Sequence, residues 1–84
     1  MRVYSRDVPT SATNLIDLTG ADIRHCSVVL LQAPEGNAAT ILFGDRKVQP
    51  FELRPSANAS VPVNNAKAVF VKGTSGDRIS IGFL

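Results

Sequence analysis

The feature that most constrains this chain is the shortness of its apolar runs. The longest aliphatic run, Val28-Val29-Leu30-Leu31, has four residues, and polar or turn-forming residues interrupt the chain at every similar point. A packed helix needs apolar positions at three- and four-residue spacing over several turns, and no window sustains that pattern. Apolar segments instead return every ten residues or so, between Gly, Pro, Asn and Asp, which is the rhythm of short antiparallel strands. The spacing predicts strands over 25–32, 40–43, 48–53, 60–63, 67–72 and 78–84. The first is apolar on both faces, as in a strand covered on two sides or on one side plus a neighbouring subunit. Pro50 removes a ladder donor and places its strand at an edge or bulge. In the last, Ile79, Ile81 and Phe83 face one way and Arg78, Ser80 and Gly82 the other. Residues 34–37 carry hairpin-type residues after the first strand. Residues 73–77 read as a hairpin turn joining the last two strands, and 55–59 reads as a loop. Asn64-Asn65 marks a turn, and 16–23 has room for one helical turn with Thr19 and Asp22 as caps.

The expected fold is all-β: a small antiparallel β-sandwich or a Greek-key or jelly-roll-like barrel, as one domain over 14–84. Residues 1–13 are polar and interrupted by Pro9. They read as an extended N-terminal arm with one short edge strand at Arg2-Val3-Tyr4. Tyr4 sits there without a core of its own, and tyrosine is a common interface anchor. Arg2, Tyr4, Arg6, Val8 and Pro9 are therefore the candidate interface residues.

A domain of 84 residues buries only about 60–65% of the surface its unfolded chain exposes. Small cores of this kind gain from a disulfide, a metal or a partner chain. Cys26 is the one cysteine, so no internal bridge can form. A metal site needs several converging ligands, and the one histidine, His25, is its sequence neighbour. No cofactor is expected, which leaves a partner chain, and a homo-oligomer is the expectation. The net charge of +2 comes from nine basic and seven acidic residues. The basic residues are dispersed, with Arg46-Lys47 their only adjacent pair, so nucleic acid is not the expected partner. Met1 to Asp7 lacks the apolar run of a signal peptide. No stretch approaches the roughly 20 apolar residues of a spanning helix, so no membrane partner is expected, and synthesis on the cytoplasmic side is.

Each candidate for chemistry has a plainer reading. His25 and Cys26 would form a nucleophile pair if the imidazole could take the thiol proton. Neighbours on a strand point to opposite faces, which separates them. Asp17 and Asp22 lack the enclosed cleft that general acid–base work requires. The loop 73–77 superficially matches a phosphate-binding loop, but Asp77 stands where that loop needs lysine. The group Asp45-Arg46-Lys47 with Arg54 lacks aromatic platforms for stacking bases. Phe43, Phe51, Phe70 and Phe83 lie in predicted strands and read as core. The expected chain is not an enzyme. Asn58 and Asn64-Asn65 are the loop residues that a glycan- or ligand-binding module would use, and a small oligonucleotide-binding barrel is the other alternative.

Three stretches carry a family resemblance: Phe51-Glu52-Leu53, then Ala59-Ser60-Val61-Pro62-Val63, then Ala68 through Ile81. Together with Leu18-Thr19-Gly20-Ala21-Asp22, they resemble small virion proteins of tailed bacteriophages. Those chains often end in a valine-rich strand, a Lys-Gly-Thr-Ala-Gly-Asp turn and an apolar strand. Ser75 stands here where alanine is commoner. The resemblance covers 14–84 and implies a β-sandwich capsid decoration (cement) protein on the virion surface. A head-fibre base or tail component is the alternative. It implies association as trimers over seams of the major capsid protein, an arm clasping a neighbour, and no catalytic residues.

Overall fold

The computed structural model describes residues 2–21 and 26–84. Eight strands are present among the described residues. They are β1 (Arg2–Asp7), β2 (Thr13–Asn14), β3 (Val28–Gln32), β4 (Ile41–Gly44), β5 (Phe51–Leu53), β6 (Asn58–Pro62), β7 (Phe70–Lys72) and β8 (Arg78–Phe83). They form two four-stranded antiparallel sheets, ordered β1-β8-β3-β6 and β2-β7-β4-β5. The fold is all-β, as the apolar rhythm predicts.

The core follows from strand alternation. Ile79, Ile81 and Phe83 of β8 are buried on one face beside Val29 and Leu31 of β3. Ile41, Leu53 and Val71 of the second sheet complete the same cluster. Burying a side chain of this size contributes about 1.5–3 kcal/mol relative to exposure. These eight residues, together with Leu15, therefore supply most of the apolar drive for folding.

Leu15 belongs to a five-residue helix, α1 (Leu15–Thr19). Asn14 caps it: its Oδ1 accepts the Asp17 N–H and its Nδ2 donates to Asp17 Oδ2, both at 2.9 Å. Such a cap satisfies a helix-end donor that has no partner inside the helix. Gly20 ends the helix with φ at 69°, its N–H donating to the Ile16 carbonyl. Thr19 is buried, with its hydroxyl donating to the Leu15 carbonyl at 2.8 Å. The helix packs against β1 and β2, the edge strands of the two sheets on one side. It therefore closes that side of the core.

Several expectations are corrected. The short edge strand expected at Arg2-Val3-Tyr4 is present, but residues 2–7 are no extended arm: β1 runs on to Asp7 and pairs with β8 along its whole length, from Arg2 opposite Phe83 to Asp7 opposite Arg78. A face of Arg2, Tyr4 and Arg6 does not read as apolar. Yet long polar side chains can cover apolar surface with their stems and rings, and that is what β1 does. The predicted hairpin at 73–77 is instead a passage between sheets, since β7 and β8 belong to different ones. The connection from β3 to β4 also changes sheet. Turn residues record that the chain reverses, not which sheet it rejoins. Strand β6 begins at Asn58, inside the stretch read as a loop, and Ala66–Ala68 is a 3-10 turn where a strand is predicted. The helix sits at Leu15–Thr19, slightly before the window 16–23. Strand β3 starts at Val28. The start of its predicted segment at His25, and the cap role of Asp22, lie outside the described residues.

Candidate functional site

The five residues predicted to meet a neighbour are mostly tied into the domain itself. Tyr4 is half-buried and meets Phe83 edge-on, with ring centroids 5.8 Å apart. The Arg6 guanidinium carbon lies 5.3 Å from the Tyr4 ring centroid, and its Nη2 donates to the Thr19 carbonyl at 3.0 Å. Val8 is buried and its N–H donates to the Asp77 carbonyl at 2.9 Å. The Pro9 carbonyl accepts the Gly73 N–H at 2.8 Å. Arg2 is exposed. Tyr4 does have a core, which β8 supplies.

The side chains considered for chemistry are engaged in local structure. The Cys26 thiol donates to the Val63 carbonyl at 3.2 Å, and His25 lies outside the described residues. Asp17 serves the start of α1, and Asp22 lies outside the described residues. Asp77 is buried, and its two oxygens accept the N–H groups of Ala38 and Ala39 at 2.9 and 3.0 Å. Its carboxylate thus ties the β3–β4 connection to the β7–β8 connection, both of which change sheet. Asp45 Oδ1 accepts the N–H groups of Lys47 and Val48, both at 2.8 Å, and closes its own turn. Among the described residues, no three His, Cys, Asp or Glu side chains converge as a metal site would require. No helix among them is long and apolar enough to cross a membrane.

What the surface offers is apolar. On the side opposite α1, β5 and β6 are the edges of the two sheets. Among the described residues no helix closes this side as α1 closes the other. Phe51 pairs across from Phe43, which pairs in turn with Val71, so all three share the core-facing side of their sheet. Val71 is fully buried, whereas Phe51 is 60% exposed. The rings of Phe43 and Phe51 lie 5.5 Å apart. They line a cleft of about 290 Å³ with Val48, Pro50, Val61 and Val63. Sequence reading placed Phe51 in the core from its residue type. The signal it lacked is that the facing sheet ends at β6.

A second depression, about 330 Å³, lies on the outer face of the first sheet. Gly82 forms its floor, flanked in register by Val3 and Leu30. The next row offers Ser80, Gln32 and Asn58. Asn58 thus reaches a surface groove, though from a strand and not from a loop. Asn65 instead caps the 3-10 turn, its Oδ1 accepting the Lys67 N–H at 3.0 Å.

Comparison of the chain with protein-family models, with curated proteins and with solved structures returned no match.

Proposed function

We propose that this chain is a structural protein of a tailed-phage virion, a capsid decoration protein that self-associates and binds the major capsid protein. The observation that carries the reading is the uncovered side of the core at Phe51, Phe43 and Val48. An isolated domain gains nothing by leaving a core-facing phenylalanine in water, whereas an assembling one buries it on association. The engaged state of Asp17, Asp45, Asp77 and Cys26 supports an assembly role over a reaction. The resemblance of 14–84 to small virion proteins supplies the assembly. The mechanism is mechanical: each bound copy adds interface that must break before shell subunits separate. Many weak contacts repeated over a shell give avidity beyond any one of them.

Mass spectrometry of purified particles tests this reading. The chain is expected at a copy number comparable to that of the shell subunits. Its absence from particles produced by a host that expresses it would end the reading. A glycan- or ligand-binding module is the second reading, favoured by the groove that Ser80, Gln32 and Asn58 line over Gly82. A glycan array with no binding removes it.

A further inference from the structure

Strand β6 is an edge without charged protection, its one guarding residue being Pro62 at the strand's end. Natural sheets guard free edges with charged residues, with proline, with short strands or with covering elements. Among the four edge strands, β2 has two residues and β5 three. Strand β1 has six, but three of them are charged: Arg2, Arg6 and Asp7. Strand β6 has five residues, Asn58-Ala59-Ser60-Val61-Pro62, and none is charged.

The backbone of β6 presents a defined pattern outward. The Val63 N–H donates to the Ser27 carbonyl at 3.2 Å, and the Ala57 carbonyl accepts the Ala33 N–H at 2.9 Å. In an antiparallel strand the N–H and C=O of one residue point the same way, and the direction alternates along the chain. Odd-numbered residues of β6 therefore bond to β3, and Asn58, Ser60 and Pro62 point their backbone groups away from it. Among the described residues, β3 is the one strand that pairs with β6, so the N–H groups of Asn58 and Ser60 have no ladder partner. Proline, which has no N–H, occupies the third outward position, where a proline costs the ladder nothing.

We propose that β6 pairs antiparallel with β6 of a second copy, about a two-fold axis at Ser60, joining two first sheets into one of eight strands. This register sets Ala59 opposite the second copy's Val61 and lets the two Ser60 residues exchange N–H to C=O bonds. Each Asn58 N–H then meets the carbonyl of Pro62 across the axis, giving four bonds in all. Charge selects β6 over β1. Three of the six β1 residues are charged, and charged side chains along an edge discourage the addition of a further strand. The pairing at β6 opposes no charges. It also turns the open sides of the two copies toward each other, so that Phe51 and Val48 of each approach the other copy's cleft. The inference rests on the self-association in the proposed function, not on the virion location. It specifies a closed pair in place of the trimer that the resemblance implies.

The test is the mass of the full chain in solution, with two variants. Light scattering after size exclusion is expected to give twice the 9.0 kDa chain. Ser60→Pro removes an outward N–H and sets a ring against the approaching strand, while every bond to β3 remains. It is expected to run at the single-chain mass with an unchanged circular dichroism spectrum. Ser60→Lys, which keeps the N–H, places two ammonium groups against each other at the axis. It is expected to weaken association about tenfold or more at low salt, less at high salt. Amide exchange gives an independent readout. The Asn58 and Ser60 amides should exchange at least about tenfold more slowly in concentrated than in dilute protein. A wild-type chain at the single-chain mass overturns the proposal and the self-association with it. An oligomer that persists in both variants, with Asn58 and Ser60 exchanging rapidly, overturns the β6 pairing alone. Should Ser60→Pro fail to fold, Ser60→Lys and the amide exchange decide in the same way.

Discussion

Asp77 joins two of the connections that change sheet, β3 to β4 and β7 to β8, through two charge-assisted bonds to the N–H groups of Ala38 and Ala39. Removing the carboxylate takes away the partner of both partly buried donors, and a hydrogen bond to a charged group contributes about 1.5–3 kcal/mol. Asp77→Ala should therefore lower unfolding free energy by roughly 2–4 kcal/mol in urea titrations. Asp77→Asn, which keeps one acceptor, should lose about half as much. Two glycines differ in why they are needed. Gly20 has φ at 69° with open space at the Cβ position, so Gly20→Ala should cost about 1 kcal/mol from backbone strain alone. At Gly44 a Cβ would sit 2.5 Å from the Val48 carbonyl oxygen and 2.8 Å from Gln49 Cα. Both are backbone atoms that cannot swing aside. Gly44→Ala should cost more than Gly20→Ala in the same titration, and the reverse order would contradict the close approach of 44 to 48–50.

At the scale of elements, β1 separates two pictures of the N-terminal region. A free arm could be removed without effect. A strand bonded along β8, with Tyr4 against Phe83, could not. Deleting residues 2–7 should lower the melting temperature by more than about 10 °C or abolish the cooperative transition. A chain that keeps its melting temperature would restore the arm. The elements legible in sequence were those whose own alternation carries the message. Ile79, Ile81 and Phe83 announce β8, and Val28 to Leu31 announce β3. Pro50 correctly placed β5 at an edge. Strand β1 was only partly legible because its half-buried face is made of Arg6 and Tyr4, whose apolar parts are stems and rings. Strand β6 was cut short because Asn58 reads as a turn residue, yet here it continues the ladder opposite Gln32. The sheet changes around Asp77 were illegible, since they depend on a carboxylate meeting amides 38 and 39 residues earlier in the chain. Likewise the candidate site was missed, because exposure of Phe51 depends on where the other sheet stops.

For the molecule as a whole, one side of the core is shut by α1 and the other, among the described residues, is left open. Under the proposed pairing, that asymmetry couples stability to concentration. If a second copy covers β6 and the cleft, folding and association share a free energy, and melting shifts upward as protein is added. The melting temperature should rise by several degrees between about 5 and 500 μM, and the rise should vanish in Ser60→Pro. A wild-type transition that ignores concentration would speak against coupled assembly.

The pairing of β1 with β8 has a further consequence, in the order of events during synthesis. Strand β8 lies between β1 and β3, and it leaves the ribosome after the other seven strands. Until then the first sheet has a gap at its centre, and β1 has no neighbour to bond. Native topology is therefore reached only after β8 emerges. During translation the growing chain carries exposed strand edges, the condition under which newly made β proteins depend most on holding chaperones.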